Sequence, residues 1–253
     1  MQMRKWLILF ILLFMPFPAQ GEVPPDTGGE KGLVPLEQVA VPPDEQEEFP
    51  EIKPVADPLE PWNRLMFFLN DRLYFALVRP IAQGYAFVVP EWGRIRVRNI
   101  FENLGTPVRF ISSLLQGKMN GAGNELLRFL LNTSIGVGGM FDVADNNFKI
   151  KGSDEDLGQT LGHYGIGEGF FIVWPLLGAS NARDSFGLAG GYFLDPVSYI
   201  TPLEASLAVR SYGYENDASL RVGEYEDLKE AAVDPYVSLK DAYTEYRRHK
   251  VKE

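Results

Sequence analysis

Cysteine is absent from all 253 residues, and histidine occurs only at His163 and His249. The first absence removes disulfides, thiolate metal sites and thiol nucleophiles. The second removes any metal centre built from several imidazoles. With no cysteine after the leader there is no thioether attachment point, so export without a lipid anchor is expected. Basic residues are scarce as well, 24 against 34 acidic, for a net charge of −10. Such a chain repels nucleic acid and lacks the basic stripe that a nucleic-acid binder needs. Charge does not draw it to anionic lipid either, so any membrane association must rest on apolar area. Signatures of chemistry are missing too. There is no Gly-x-Ser-x-Gly elbow and no Gly-Lys-Ser/Thr after a glycine-rich segment. The acids Asp154, Glu155, Asp156 and Glu168 near His163 match no ligand spacing. We expect no catalytic, cofactor-binding or metal-ligating residue, and His163 reads as a hydrogen-bonding structural residue.

What the chain does contain begins with Arg4 and Lys5 followed by an apolar run over 6–15. This is the basic-then-apolar order of a signal peptide, and it is too short to cross a bilayer comfortably. Pro16, Pro18, Ala19 and Gly21 mark the processing zone, so residues 1–20 are assigned to the signal. Losing Arg4 and Lys5 leaves 22 basic against 34 acidic residues, a net charge of −12. Residues 21–56 hold seven prolines, nine acids and two lysines. They carry too little apolar side chain to pay for ordering, so an acidic, proline-rich, disordered spacer is expected. Residues 57–253 suffice for one substantial domain.

That domain reads as helices punctuated by glycine, proline and asparagine. Asp57-Pro58 supplies a cap and a first-turn proline. Over 62–78, Asn63, Asn70 and Asp71 share a narrow polar face and the rest is apolar. Pro80 should stop or bend this helix. A second helix is expected from Pro80 towards Val89, and a short one over 91–99, where alternating Arg94, Arg96 and Arg98 also permit a strand. Helices follow over 107–115 and 124–131; in the latter Glu125, Arg128 and Asn132 form one stripe and leucines and a phenylalanine cover the other sides. Such helices need either protein neighbours on most sides or lipid in their place.

Two segments concentrate glycine. In 132–142, Gly136, Gly138 and Gly139 sit between apolar residues, and glycine permits positive φ and close backbone approach. In 156–178, glycines punctuate the run before the apolar stretch 170–177, which suits either a short element entering an apolar layer or a core strand. Near the end, Asp195-Pro196 and Asp234-Pro235 repeat the cap-and-proline device. After the second, Tyr236, Leu239, Tyr243 and Tyr246 recur at helical spacing, as in a docking helix or one facing a partner.

In order along 57–250, Asp57-Pro58-Leu59-Glu60-Pro61-Trp62-Asn63-Arg64, Arg79-Pro80-Ile81-Ala82, Asn99-Ile100-Phe101-Glu102-Asn103-Leu104, Leu115-Gln116-Gly117-Lys118, Arg128-Phe129-Leu130-Leu131-Asn132-Thr133, Gly136-Val137-Gly138-Gly139-Met140-Phe141-Asp142, Gly158-Gln159-Thr160-Leu161-Gly162, Pro175-Leu176-Leu177-Gly178, Arg183-Asp184 and Asp234-Pro235-Tyr236 resemble the MlaA/VacJ family of Gram-negative envelope proteins. The resemblance implies an all-α ring of amphipathic helices with glycine-rich loops, seated on the periplasmic side of the outer membrane. It implies channel-like passage of mislocalised phospholipids from the outer leaflet to a periplasmic, MlaC-like lipid carrier, which maintains lipid asymmetry. A trimeric outer-membrane porin is the implied partner. It places Asn132, Gly136, Gly138, Gly139, Gln159 and Gly162 as supports of the passage or its loops. The sequence departs from the family at the missing lipoprotein cysteine, in the long acidic tail and at Ala179, where proline is usual. A non-conducting structural protein that binds a porin is the alternative.

Overall fold

The computed structural model describes residues 55–253. The expected signal peptide, 1–20, and residues 21–54 of the expected tail lie outside the described residues. Helix α1 (Glu60–Leu73) starts with Pro61 in its first turn. Asp57 does not cap it. The carboxylate instead accepts hydrogen bonds from Asn63 Nδ2 at 2.8 Å and from the Tyr236 hydroxyl at 2.5 Å, tying the start of the domain to its end. Pro80 does not stop the helix. The chain widens into a π-helical stretch, Tyr74–Val78, where the Arg79 amide reaches back to the Tyr74 carbonyl, and continues as α2 (Arg79–Val88). The wider turn lies where the proline ring would collide with the carbonyl four residues back, so the ladder opens to admit it.

Helix α3 (Glu91–Leu104) settles the arginine-rich segment as helix rather than strand. It is followed by α4 (Thr106–Leu115), α5 (Met119–Ser134), the short α6 (Val143–Phe148) and α7 (Leu157–His163). A hairpin of β1 (Phe171–Trp174) and β2 (Gly178–Asn181) comes next, antiparallel, with Phe171 opposite Asn181 and Trp174 opposite Gly178. The apolar run is therefore a core strand, with Phe171, Ile172 and Val173 buried. Then come α8 (Ala182–Leu194), a 3₁₀ turn (Pro196–Tyr199), α9 (Leu203–Leu220), α10 (Glu224–Ala231) and α11 (Pro235–Lys252). The all-α expectation holds, with this one hairpin added. Asp195 and Asp234 do cap, accepting from the Val197 and the Tyr236 amides.

Packing closes on itself. The hairpin touches α1, the π stretch joins α1 to α2, and α2 packs on α9. From there contact passes through α3 to α4 and α5, from α4 to α7, from α7 to α11, and from α11 back to β2. One apolar core lies where α1, the hairpin and α11 meet: Met66, Phe171, Val173, Ala179, Tyr236 and Tyr243. Two asparagines on α1 finish the free edge of β1. Asn63 donates to the Phe171 carbonyl at 3.0 Å and accepts from the Val173 amide at 2.7 Å. Asn70 does the same with the Trp174 carbonyl (2.9 Å) and the Leu176 amide (2.8 Å). Seven helical residues and three strand residues both advance about 10 Å, so one asparagine per two turns keeps step with the strand.

Candidate functional site

The distribution of side chains is inverted relative to an ordinary globule, where buried charges and amides are rare. Among the described residues, buried polar side chains outnumber buried apolar ones, and large apolar side chains crowd the surface. On α1, Asn63, Asn70 and Asp71 face inward while Trp62, Leu65, Phe68 and Leu69 face out. On α5, Glu125 and Asn132 are buried and Leu126, Leu127, Phe129 and Leu130 are exposed. On α4, Ser112 and Ser113 are inside and Leu114 and Leu115 outside. Phe87 (92 % exposed) and Trp92 project from the α2–α3 corner, and Phe186 (74 %) and Phe193 from α8. No helix among the described residues is long and apolar enough to cross a membrane.

The residues that the family resemblance placed as passage or loop supports fall into two clusters. The first is the turn after α5. Asn132 is buried; its amide donates to Asp142 Oδ1 at 3.0 Å and its side-chain oxygen accepts from the Ala144 amide at 2.9 Å. Its carbonyl receives the Gly139 amide at 2.8 Å. Gly136 is packed so closely that a β-carbon there would stand 2.3 Å from the Phe141 carbonyl oxygen, and Gly139 (φ +93°) faces Asn103 in the same way at 2.6 Å. Gly138 has positive φ but open space around it. Asp142 caps α6 and pairs with Arg128 Nη2 at 2.8 Å. Burial pushes its carboxyl up, but the hydrogen bonds from Arg128, the Asp145 amide and Asn132 outweigh this and hold it below the usual carboxylate range.

The second cluster surrounds α7. Gln159 is buried and its side chain donates to the Asp154 carbonyl at 2.8 Å, while its backbone N–H donates to the capping Asp156 carboxylate at 2.7 Å. A β-carbon on Gly162 would meet Val251 at 2.8 Å and Arg183 at 2.9 Å. Beneath them runs a buried ionic network. Arg247 is bidentate to Asp156, at 2.6 and 3.0 Å, and to Asp184, at 2.7 and 3.0 Å. Asp184 also accepts from Tyr243 (2.9 Å), Asn181 (2.7 Å) and Arg183 (3.0 Å). Helix α4, which packs on both α5 and α7, and the connecting segment join the two clusters. There Glu125, fully buried, accepts the Ser153 amide at 2.7 Å and pairs with Arg109 at 2.8 Å.

Sequence reasoning missed Asp184 and Arg247 as a pair, because 63 residues separate them and no local spacing joins them. The Glu125/Arg128/Asn132 stripe was visible, but not its inward orientation. Tyr236 and Tyr243 are buried against the chain's own core with Leu239 packed beside them, and Tyr246 is half-buried. His163 differs from expectation: it is exposed, edge-on to Tyr164 at 5.4 Å, and makes no hydrogen bond to a described residue. The nearby acids are spent on ion pairs, Glu155 with Lys118 and Glu168 with Arg248. Among the described residues no group of three His, Asp or Glu is placed to hold a metal.

One buried acid stands apart. Both carboxylate oxygens of Glu215, 9 % exposed on α9, accept no hydrogen bond from any described residue. Burial pushes this carboxyl up to about 7. The folded value lies above the unfolded one, so folding is favoured fully below the ordinary carboxylate range and loses that support as pH rises towards 7. Glu215→Gln should therefore stabilise the protein at pH 8 by about 1–2 kcal/mol, discounted for partial screening, and by almost nothing at pH 4. Denaturant titrations at the two pH values test this.

The family model described as MlaA lipoprotein matches residues 55–250. The chain is 33 % identical over 198 residues to the intermembrane phospholipid transport system lipoprotein MlaA of Escherichia coli K12, covering 77 % of each protein. It is 32 % identical over 200 residues to an uncharacterised protein of Rickettsia conorii, covering 79 % of this chain and 77 % of that one. A solved structure described as the structural basis for maintenance of bacterial outer membrane lipid asymmetry superposes with a TM-score of 0.69 at 29 % identity, over 78 % of this chain and 99 % of that one.

Proposed function

The chain belongs to the MlaA lipoprotein family, and from that premise we propose that it passes mislocalised phospholipids from the outer leaflet of the outer membrane to a periplasmic lipid carrier of the MlaC kind. It works as a channel-like protein rather than as a catalyst, and its activity maintains lipid asymmetry. It sits on the periplasmic side of the outer membrane beside a trimeric porin, after export by residues 1–20.

The observation that carries this reading is the inverted partition of side chains. A surface of leucines and aromatics is stabilised in hydrocarbon by the hydrophobic effect, and helices too short or too polar to span hold the protein in one leaflet. Inside, the circuit of helices presents amides, hydroxyls and carboxylates. A headgroup moving along such a lining avoids the cost of carrying charge through hydrocarbon, while its tails stay against the apolar exterior. Asn132, Gly136 and Gly139 hold the turn after α5 in one shape, and Gln159 and Gly162 fix α7; both support the wall rather than react.

Reconstitution in a bilayer labelled in its outer leaflet, with the carrier on the inner side, tests the proposal. Labelled phospholipid should appear on the carrier only when the protein is present. A protein that binds a porin but moves no lipid would replace this reading with the structural one. Membrane seating has its own test. Leu126 and Leu130 are exposed, so the double replacement Leu126→Asp, Leu130→Asp should leave the fold intact. Each change costs roughly 2–3 kcal/mol in hydrocarbon, so partition into vesicles should fall by at least ~100-fold in a flotation assay.

A further inference from the structure

Two arginines, Arg72 and Arg96, have no hydrogen bond or ion pair to any described residue, whereas every other described arginine meets an acid or a carbonyl. Arg72 is exposed on α1, with only the Phe68 ring beneath it at 5.0 Å. Arg96 stands in a built setting. It is half-buried on α3, and its Cζ lies 4.2 Å from the centre of the Phe141 ring in the turn after α5. Such stacking restrains a guanidinium without using its N–H donors. Two asparagines of α3 pin the same turn: Asn99 donates to the Met140 carbonyl at 3.1 Å, and Asn103 to the Thr133 hydroxyl at 3.0 Å. The acids at hand are taken, Glu102 by Arg98 and Asp142 by Arg128. None of the guanidinium nitrogens of Arg96 is shut off from the surface. The charge is therefore held in place, unanswered and open to the outside.

Its surroundings are apolar. Trp92, one helical turn earlier on the same face of α3, is 68 % exposed, and Ile135, Val137 and Phe141 of the turn are exposed too. Val137 takes φ +55°, a left-handed conformation that a β-branched residue resists, and its side chain still lies at the surface. Hydrocarbon alone would suit these side chains but not the cation. A small inorganic anion would answer the cation and leave the apolar groups in water. An amphiphile with an anionic head answers both. We propose that Arg96 binds the phosphodiester of a phospholipid beside the turn after α5. Its planar fork takes two phosphate oxygens, and the acyl chains lie against Trp92, Val137 and Phe141. This rests on the phospholipid reading above and gives it a named contact for the headgroup.

The test uses the full chain in a non-ionic detergent, titrated with short-chain phosphatidylglycerol and with the diacylglycerol of the same acyl length, which lacks the phosphate. Arg96→Gln should weaken phosphatidylglycerol binding about ten- to a hundredfold, the range for hydrogen bonding to a charged group, and leave diacylglycerol binding unchanged. Arg96→Lys keeps the charge but not the fork, so its affinity should fall between the two. Arg72→Gln should alter neither titration, and inorganic phosphate at the lipid's concentration should not compete. An equal loss for diacylglycerol in Arg96→Gln, or the same loss in Arg72→Gln, overturns the Arg96 assignment and leaves the lipid reading standing. Competition by inorganic phosphate would make this a free-anion site and overturn the lipid contact. Binding of neither lipid by the unaltered protein overturns both readings.

Discussion

Replacement of Arg247 by methionine should cost about 3–5 kcal/mol of folding stability at pH 7, the range for removing one partner of a buried ion pair. Arg247 and Asp184 are both nearly inaccessible to water, and the guanidinium makes two hydrogen bonds to each of two carboxylates. Methionine keeps much of the volume and none of the donors, so the loss reports uncompensated charge rather than a cavity. The pH dependence gives a second check. Burial pushes the Asp184 carboxyl up, but hydrogen bonding and charge from Arg247, with Arg183, outweigh this and leave it below its ordinary range. A lowered folded value contributes stability above the unfolded carboxylate range and loses it as pH falls through the folded value. The deficit of Arg247→Met should therefore be full at pH 7 and narrow below about pH 4. Denaturant unfolding in mild detergent at both pH values measures it, and a pH-independent deficit would point to packing instead.

Gly187→Ala should be comparably damaging for a steric reason. A β-carbon at Gly187, on α8, would lie 2.3 Å from the Gly158 amide nitrogen and 2.7 Å from its Cα. These are backbone atoms of α7 and cannot rotate away. The two helices must separate, and they also carry Asp156 and Asp184, whose shared partner is Arg247. We expect a loss of about 3 kcal/mol or more and a lower melting temperature. Gly84→Ala on α2 is the control: nothing lies within 4 Å of its added β-carbon, so helix propensity alone should raise stability by about 0.5–1 kcal/mol.

Local signals in the sequence were enough for most of the helices. The apolar and polar periodicity of α1 and α5 is written in consecutive residues, as are the caps at Asp195 and Asp234. Other features depended on partners far along the chain. Asp57 resembles a helix cap but binds Tyr236 and Lys240, 179 and 183 residues away. The segment with Arg94, Arg96 and Arg98 had a strand's alternation, yet it packs as a helix against α9. Within the run 170–177, residues 171–174 form a strand paired with β2, and Asn63 and Asn70 bind along its other edge. The clusters around Asn132 and Gln159 were visible as glycine-rich stretches, while Arg247 and Asp184, which organise the second of them, left no local trace.

The sequence by itself determined that no thiol or multi-histidine chemistry is possible, that charge cannot recruit nucleic acid, and that α1 and α5 each carry a polar stripe. These follow from composition and from the fixed 100° step of a helix, which need no neighbours. Only the tertiary structure decided that the stripes face inward and the leucines face outward. Periodicity defines two sides of a helix but not which is inside, and that choice is made by long-range partners: amides on a strand edge, a guanidinium between two carboxylates, and a circuit of helices that closes around them.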